Sequence, residues 1–387
     1  MIFTNAQLVL PDEVRRGNLS VEDGRIARVQ SVRMVRRGAG VVDVEGGYLA
    51  PGLVDLHVHG ALGRDAMEGT EEAFEVIAGF HLRGGTTSLA LTTMTAGEGE
   101  ILRVLEVVKG VWNASLGGAR IVGAHIEGPF LSPAQAGAQD AELMRLPVAT
   151  EWRKYVRYGK VVTQMTLAPE LPGCGDLIKA LRKAGIIASA GHTDAEERQL
   201  MPALAAGLSQ ATHVVNAMSS VKKVGPYRRA GMLEFALGRE EIVCELIPDG
   251  VHVPPLMMRM IFKAKGRDGV CLITDATLGA GLKPGTEFEL GGKRARVTRE
   301  VAELVDSSGL AGSTLTMLEG VRRAVQLAGL PLADAVRMAS LNPARQLRRE
   351  EELGSLQVGR RADLVWFGED FRVRGVWLDG ERLFAAE

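Results

Sequence analysis

Cysteine is nearly absent from this chain. Its three cysteines, Cys174, Cys244 and Cys271, are odd in number and form no Cys-x-x-Cys pair, so they define neither a disulfide framework nor a thiolate metal knot. Such scarcity fits a reducing compartment with buried or inert thiols. No apolar run approaches the roughly 20 residues that cross a bilayer, so no membrane partner is expected. The start, Met1-Ile2-Phe3-Thr4-Asn5, lacks the basic and apolar regions of an export signal, and the expected location is the cytoplasm. Charge of one sign is missing too: 46 Lys and Arg stand against 47 Asp and Glu. Without a global field to gather nucleic acid or an anionic surface, any anionic ligand must be held by local groups.

What is present is the alternation of two kinds of pattern. A length of 387 residues is long for one compact domain and calls for a large barrel or two domains. Residues 1–49 alternate apolar and polar around an Asp23-Gly24 turn, and the C-terminal stretch repeats that style around Asp379-Gly380. Asp-Gly between alternating runs is a hairpin signal. Neither end can bury a core alone, so residues 1–49 and 350–387 are expected to pair into one small β-sandwich domain. Between them, residues 50–349 alternate apolar strands with helical stretches. Eight strand candidates stand out: 53–59, 87–93, 120–127, 161–168, 186–192, 210–215, 241–248 and 270–275. In residues 70–83, Phe74, Ile77, Ala78 and His81 share a helical face, with Thr70 as N-cap and Gly84-Gly85 as stop. This is an α/β pattern. It predicts a (β/α)8 TIM-like barrel, with an open doubly wound sheet as the rival and an extra β hairpin near 285–310.

Seven histidines are few, and six of them fall at or near the ends of proposed strands, where barrel enzymes build their sites. In Pro51-Gly52-Leu53-Val54-Asp55-Leu56-His57-Val58-His59-Gly60, His57 and His59 point to one face of a strand, a spacing at which two imidazoles can share one metal ion. Glu127 ends the third strand, with His125 on the same face as a further partner or a packed histidine. His192 ends the fifth and His213 lies on the sixth. A lone strand-end histidine is more often structural, but two on adjacent strands beside His57, His59 and Glu127 reverse that reading. Asp275 ends the eighth strand, beside the first in a closed barrel. Three or four N/O donors with an open position suit a catalytic divalent metal, which acidifies water and polarises an amide carbonyl. Asp275 fits the carboxylate that moves the proton. His252 follows the seventh strand and reads either as a loop histidine or as a phosphate contact. His81 carries no motif and reads as structural.

These motifs resemble the N-acetylglucosamine-6-phosphate deacetylases of the amidohydrolase superfamily. The resemblance runs through most of the chain. It rests on the His-x-His segment, His125-Ile126-Glu127-Gly128-Pro129-Phe130-Leu131, Gly191-His192-Thr193, Thr212-His213 with Asn216-Ala217-Met218, Asp249-Gly250-Val251-His252, Thr274-Asp275-Ala276, Leu310-Ala311-Gly312-Ser313-Thr314-Leu315-Thr316 and Ala339-Ser340-Leu341-Asn342-Pro343-Ala344. It implies an amidohydrolase-type barrel in which Glu127, His192 and His213 hold the main metal and Glu127 bridges to a second held by His57 and His59. The cofactor would be one or two divalent ions per subunit, zinc or iron first and manganese or cobalt next. Asp275 would be general base and acid. Asn216, the Ala217 backbone and His252 would contact an amino-sugar phosphate, joined by Arg228 from the neighbouring subunit of a homodimer. Where some members place a histidine against the acetyl carbonyl, this chain has Gln139, whose N–H can still donate. The segment 219–227 is longer than the usual connection, which puts Lys222 and Lys223 near Arg228; a solvated loop is the plainer reading for both lysines.

The implied reaction is deacetylation of N-acetylglucosamine 6-phosphate, in amino-sugar catabolism or cell-wall recycling. The alternatives are another amidohydrolase, acting on N-acetylgalactosamine 6-phosphate, a cyclic amide or an N-acyl amino acid, and a non-catalytic barrel. The last would have lost ligands, and this sequence keeps them all. Elsewhere in the superfamily a substrate without phosphate would not need His252 or Arg228.

Overall fold

The computed structural model describes residues 1–31, 38–299 and 301–386. Residues 32–37, inside the N-terminal β expectation, lie outside the described residues. Eight strands form one parallel sheet: β1 (Leu53–Val58), β2 (Thr86–Thr93), β3 (Arg120–Glu127), β4 (Val162–Leu167), β5 (Ile187–Ala190), β6 (Leu208–Ala211), β7 (Val243–Leu246) and β8 (Val270–Leu272). Each pairs with the next in chain order. A parallel bridge between Val58 and Ala276, with Asp275 N–H donating to the His57 carbonyl at 2.9 Å, brings the eighth strand back to the first. The open-sheet rival is thereby set aside. Every residue of β1, β2, β3 and β4 is buried, as expected of a parallel sheet covered on both faces. The helix Glu71–Arg83 starts where Thr70 Oγ1 accepts from Ala73 N–H, and it buries Phe74, Ile77, Ala78 and His81.

Six strands stop short of their expected ends, three of them by two to four residues beside a candidate site residue. β5, β6 and β8 finish at Ala190, Ala211 and Leu272 rather than 192, 215 and 275. The reason is visible in the backbone: His192, His213 and Asp275 take φ of 47°, 31° and 50°. Left-handed φ is costly for residues with a Cβ and breaks the extended run. It turns each of these side chains into the mouth of the barrel instead of along a strand.

The chain ends share one eight-stranded sheet. Its order runs from 381–385 through 373–378, 364–367, 48–51, 2–9 and 14–22 to 25–30, with 41–43 also beside 2–9. Both Asp-Gly turns have positive φ at both residues, the backbone of a two-residue hairpin turn. The sheet curls over its own face, so that Phe3 and Trp377 meet edge-on at 4.9 Å among Leu19, Leu49 and Leu364. Beyond β8 the chain makes a four-stranded antiparallel sheet (Glu287–Leu290, Lys293–Val297, Val301–Leu304, Leu310–Ser313), larger than the single hairpin expected there. Gly312 explains its close seat: at φ +66°, a Cβ there would lie 2.4 Å from Thr277 Cγ2 and 2.9 Å from the Asp275 carbonyl oxygen.

Barrel and end sheet are joined through Arg120, a buried residue of β3. Its guanidinium donates to Asp363 at 2.8 Å and to Asp379 at 2.6 Å. Asp363 is buried as well, and burial pushes its carboxyl pKa up against the pull of Arg120. Removing one partner of a buried ion pair strands the other charge. Arg120→Met is therefore expected to lower the unfolding free energy by about 3–5 kcal/mol, seen as a lower urea midpoint; an unchanged midpoint would show that this junction contributes nothing.

Candidate active site

The six candidate ligand and base residues meet at the carboxyl end of the barrel. Glu127, at the end of β3, is at the centre. Its Oε1 lies 3.2 Å from His192 Nε2 and 3.0 Å from His213 Nε2. Its Oε2 lies 3.2 Å from His59 Nε2 and 3.7 Å from His57 Nε2. Asp275 Oδ1 stands 3.3 Å from His57 Nε2 and 3.4 Å from His59 Nε2. All six are buried. The groups sort into two adjoining sets of donors able to hold an ion, His57, His59 and Asp275 on one side and Glu127, His192 and His213 on the other.

The electrostatics show what such a cluster demands. Nε2 of His57 faces Nε2 of His59 at 3.1 Å, and His192 faces His213 at the same distance. Two imidazole lone pairs at that separation repel unless a proton or a cation lies between them. Burial opposes charge on His59, yet its bonds to Asp275 and Glu127 outweigh burial and raise its pKa to about 9. His57 is raised well above its usual value by Asp275 and Glu127 against the same burial. In turn burial would raise Asp275, but His57 and His59 hold it down to about 2. Glu127 is likewise held well below the usual carboxylate range by His57, His192 and His213, despite burial. Two carboxylates and four converging imidazoles fit a divalent cation, which replaces protons as the positive partner.

Neighbouring groups aim these side chains. His192 Nδ1 donates to the Gln135 carbonyl at 2.9 Å, leaving Nε2 for the cluster. Gln139 is fixed from both ends: its Oε1 accepts from Thr95 N–H at 2.7 Å and its Nε2 donates to Glu127 Oε2 at 2.6 Å. Lys293, from the four-stranded insertion, donates to the Gly137 carbonyl at 2.8 Å and so holds the loop that carries Gln139. Above the cluster lies a cavity of about 210 Å³, smaller than the roughly 300 Å³ at which drug-sized sites begin and suited to a small metabolite. Gln139, Asn216, Ala217 and His252 line it, with Met94, Leu290 and Leu310 at its apolar side. His252 Nδ1 donates to Asp249 Oδ2 at 2.5 Å, which turns Nε2 away from that carboxylate.

Other candidates stand apart. Arg228 is exposed on a hairpin formed by Lys222–Val224 and Tyr227–Arg229, and it does not line the cavity of its own chain. Lys222 is taken up by Asp194 at 2.5 Å. His125 is sandwiched between Thr92 and Thr166 hydroxyls, and burial pushes its pKa well down. It packs edge-on behind His57 and makes no contact to the cluster's oxygens. His81 is buried with its pKa lowered to about 4 by burial, as a structural histidine should be.

Two buried acids beside His57 escaped the sequence reading. Asp55 accepts from Thr274 Oγ1 at 2.6 Å and from the Thr274 and His57 N–H groups, stitching β1 to the chain after β8. Burial raises it to about 7 against those bonds. Its signal was the strand alternation itself, since Asp55, His57 and His59 are each two residues apart. Glu245, inside β7, faces His57.

Comparison with known proteins places this geometry. The amidohydrolase family model matches residues 48–383. The chain belongs to the amidohydrolase family. This amidohydrolase is 36% identical over 380 residues to the N-acetylglucosamine-6-phosphate deacetylase of Bacillus subtilis, covering 96% of this chain and 94% of that one. It is 31% identical to the N-acetylgalactosamine-6-phosphate deacetylase of Escherichia coli O157:H7, covering 94% and 93%. Among solved structures, the N-acetylglucosamine-6-phosphate deacetylase of Pasteurella multocida superposes with a TM-score of 0.92 at 30% identity, over 100% of this chain and 99% of that one. The resemblance first read from short motifs thus extends over the whole chain.

The imidazolium character of His57 and His59 has a measurable consequence. With its pKa raised to about 9, His59 carries a proton at neutral pH in the ion-free protein. A cation entering the cluster must displace it. Affinity for zinc is therefore expected to rise with pH and to level off above about 9. Calorimetric titration near pH 7, repeated in buffers of different ionisation enthalpy, should find at least one proton released. Proton-neutral binding would contradict this charge assignment.

Proposed function

We propose that this amidohydrolase hydrolyses the acetamide of N-acetylglucosamine 6-phosphate to acetate and glucosamine 6-phosphate. The observation that carries the reading is the convergence of Glu127, His59, His192, His213 and Asp275 on the floor of one small cavity, with His57 buried directly behind them. Glu127, His192 and His213 would hold one divalent cation; His57 and His59 would hold a second, with Glu127 between the two. Such a cation supplies Lewis acidity that polarises the carbonyl and makes water a stronger acid; the imidazole and carboxylate donors suit zinc or iron, then manganese or cobalt.

The chain's own groups complete the chemistry. Asp275, ionised and turned toward the cluster, takes a proton from water as the water oxygen bonds to the acetyl carbon. It returns that proton to the sugar nitrogen as the C–N bond breaks. Acetic acid and the amine then exchange a proton and leave as acetate and ammonium. Gln139 Nε2, locked in place by Thr95, donates to the acetyl oxygen as negative charge grows on it. Asn216, the Ala217 backbone and His252 bind the sugar phosphate. Arg228, exposed on its hairpin, is read as the phosphate contact given to a second copy, which makes the working unit a homodimer. The expected setting is the cytoplasm, without nucleic-acid or membrane partners.

The epimer N-acetylgalactosamine 6-phosphate is the second reading, favoured by the 31% identity to a relative that bears that name. Acetate release should be measured from both N-acetylhexosamines, each with and without the 6-phosphate. The reading expects turnover of the phosphorylated glucosamine derivative and a sharp loss without phosphate. Silence toward every phosphorylated sugar would end it, and preference for the galactosamine epimer would move it to the second reading. Chelation should abolish turnover and added zinc should restore it.

Two substitutions test the roles. Asp275→Asn should cut kcat by about 10²–10⁴-fold, the usual contribution of a positioned acid–base group. Gln139→Leu should cut kcat by about 10²-fold with little change in KM, as for loss of one donor to a developing oxyanion. A Gln139→Leu enzyme with full kcat would remove that residue from the chemistry.

A further inference from the structure

Glu245 is fully buried in the barrel interior, on β7. A carboxylate in such a place is costly unless something accounts for both of its oxygens. Oε1 is accounted for: it accepts from Gln164 Nε2 at 2.7 Å and from Gln210 Nε2 at 2.9 Å. Gln210 Nε2 also donates to Gln164 Oε1 at 2.8 Å, so each amide is oriented by the other. Oε2 has no such donor. Among the described residues its one ion-pair contact is His57 Nδ1, at 3.5 Å. That nitrogen is itself buried and without a close hydrogen-bond partner. Two orphaned buried atoms, one an acceptor and one able to carry a proton, therefore face each other. On its other side His57 presents Nε2 to His59, Glu127 and Asp275.

We propose that Glu245 is a positioning residue for His57, keeping the ring proton on Nδ1 so that the Nε2 lone pair is free for a cation in the His57–His59 cluster. The proposal rests on the metal reading above. A histidine that ligates through one nitrogen commonly donates its other N–H to a carboxylate, and loss of that partner typically costs 10–100-fold in metal affinity. The glutamine pair sets the direction of the effect. In Glu245→Gln, the new side-chain oxygen must face the donors of Gln164 and Gln210, because both present N–H groups there. Its amide N–H then faces His57 Nδ1, which has to accept. The proton moves to Nε2, where it blocks the cluster. Glu245 thus acts through tautomer choice, and an amide of the same shape cannot replace it.

The test counts cations. Zinc is titrated into the ion-free protein, and bound zinc is measured by elemental analysis after removal of the excess. The unaltered protein should take up two equivalents. Glu245→Gln should keep the first and bind the second about 10–100-fold more weakly. In a His57→Ala background, Glu245→Gln should change nothing further, an outcome that a merely structural role would not give. A second zinc bound as tightly as in the parent overturns the proposal, as does equal weakening of both. An unaltered protein that binds one equivalent overturns the two-cluster reading itself, a failure visible before any variant is made. A measurement on zinc-loaded protein with ¹⁵N-labelled histidine covers the case in which Glu245→Gln does not fold. The imidazole signal missing from His57→Ala should carry its proton on Nδ1, and a proton on Nε2 refutes the assignment.

Discussion

One buried carboxylate organises the mouth of this barrel. Glu127 presents one oxygen to His192 and His213 and the other to His57 and His59. Four imidazole nitrogens brought this close would repel one another in the neutral state. The carboxylate, with Asp275 beside it, makes positive charge between them favourable, whether that charge is carried by protons or by a metal ion. The same negative centre sets the shifts around it: it helps to raise His57 and His59, and they help to lower it.

The scaffold converges on that carboxylate from three directions. Along β3, Arg120 stands at the strand's start and Glu127 at its end, so the strand that carries the central carboxylate is also the one bolted to the end sheet. From above, the four-stranded insertion holds the 137–139 loop through Lys293, and Gln139 reaches from that loop to Glu127. From the closing seam, Asp55 and Thr274 tie β1 to the chain after β8, which sets His57 and His59 against Asp275. A group held within a few tenths of an ångström by packing and hydrogen bonds does not have to be ordered at the moment of reaction.

How much of this a reader could take from the letters differs by element. His57 and His59 were legible because strand alternation alone puts them on one face, and β1 runs straight through His57. The eight strands were legible as apolar runs. Their ends were not, since nothing in Gly191-His192 or Thr212-His213 announces a left-handed turn forced by tertiary contacts. The insertion read as a hairpin because Gly291-Gly292 is its one strong turn signal; its last two strands join through weaker ones. Glu245 was illegible for a different reason. A glutamate between Cys244 and Leu246 looks like a strand residue turned to water, and its inward placement depends on Gln164 and Gln210 from two other strands. Polar residues deep in a parallel strand announce a network only once the partners are known. Arg228 shows the opposite limit: its motif was readable, but it stands on an exposed hairpin away from the cavity of its own chain.

The barrel is held by its own backbone and core. Its seam closes through backbone bonds, its core is apolar, and the groups at its mouth pair carboxylate with imidazole. Small metal-held domains are the contrary case, where the ion supplies the folding energy outright. Here a large apolar core orders the chain, so the site's polar groups are free to serve its chemistry. That division explains why so many buried polar groups around the cluster are fixed by neighbours rather than by the ligands themselves. Gln135 orients His192, Thr95 orients Gln139, and Asp249 orients His252. A cluster whose side chains are aimed by their own neighbours in this way holds its donors together through the fold itself rather than through a ligand.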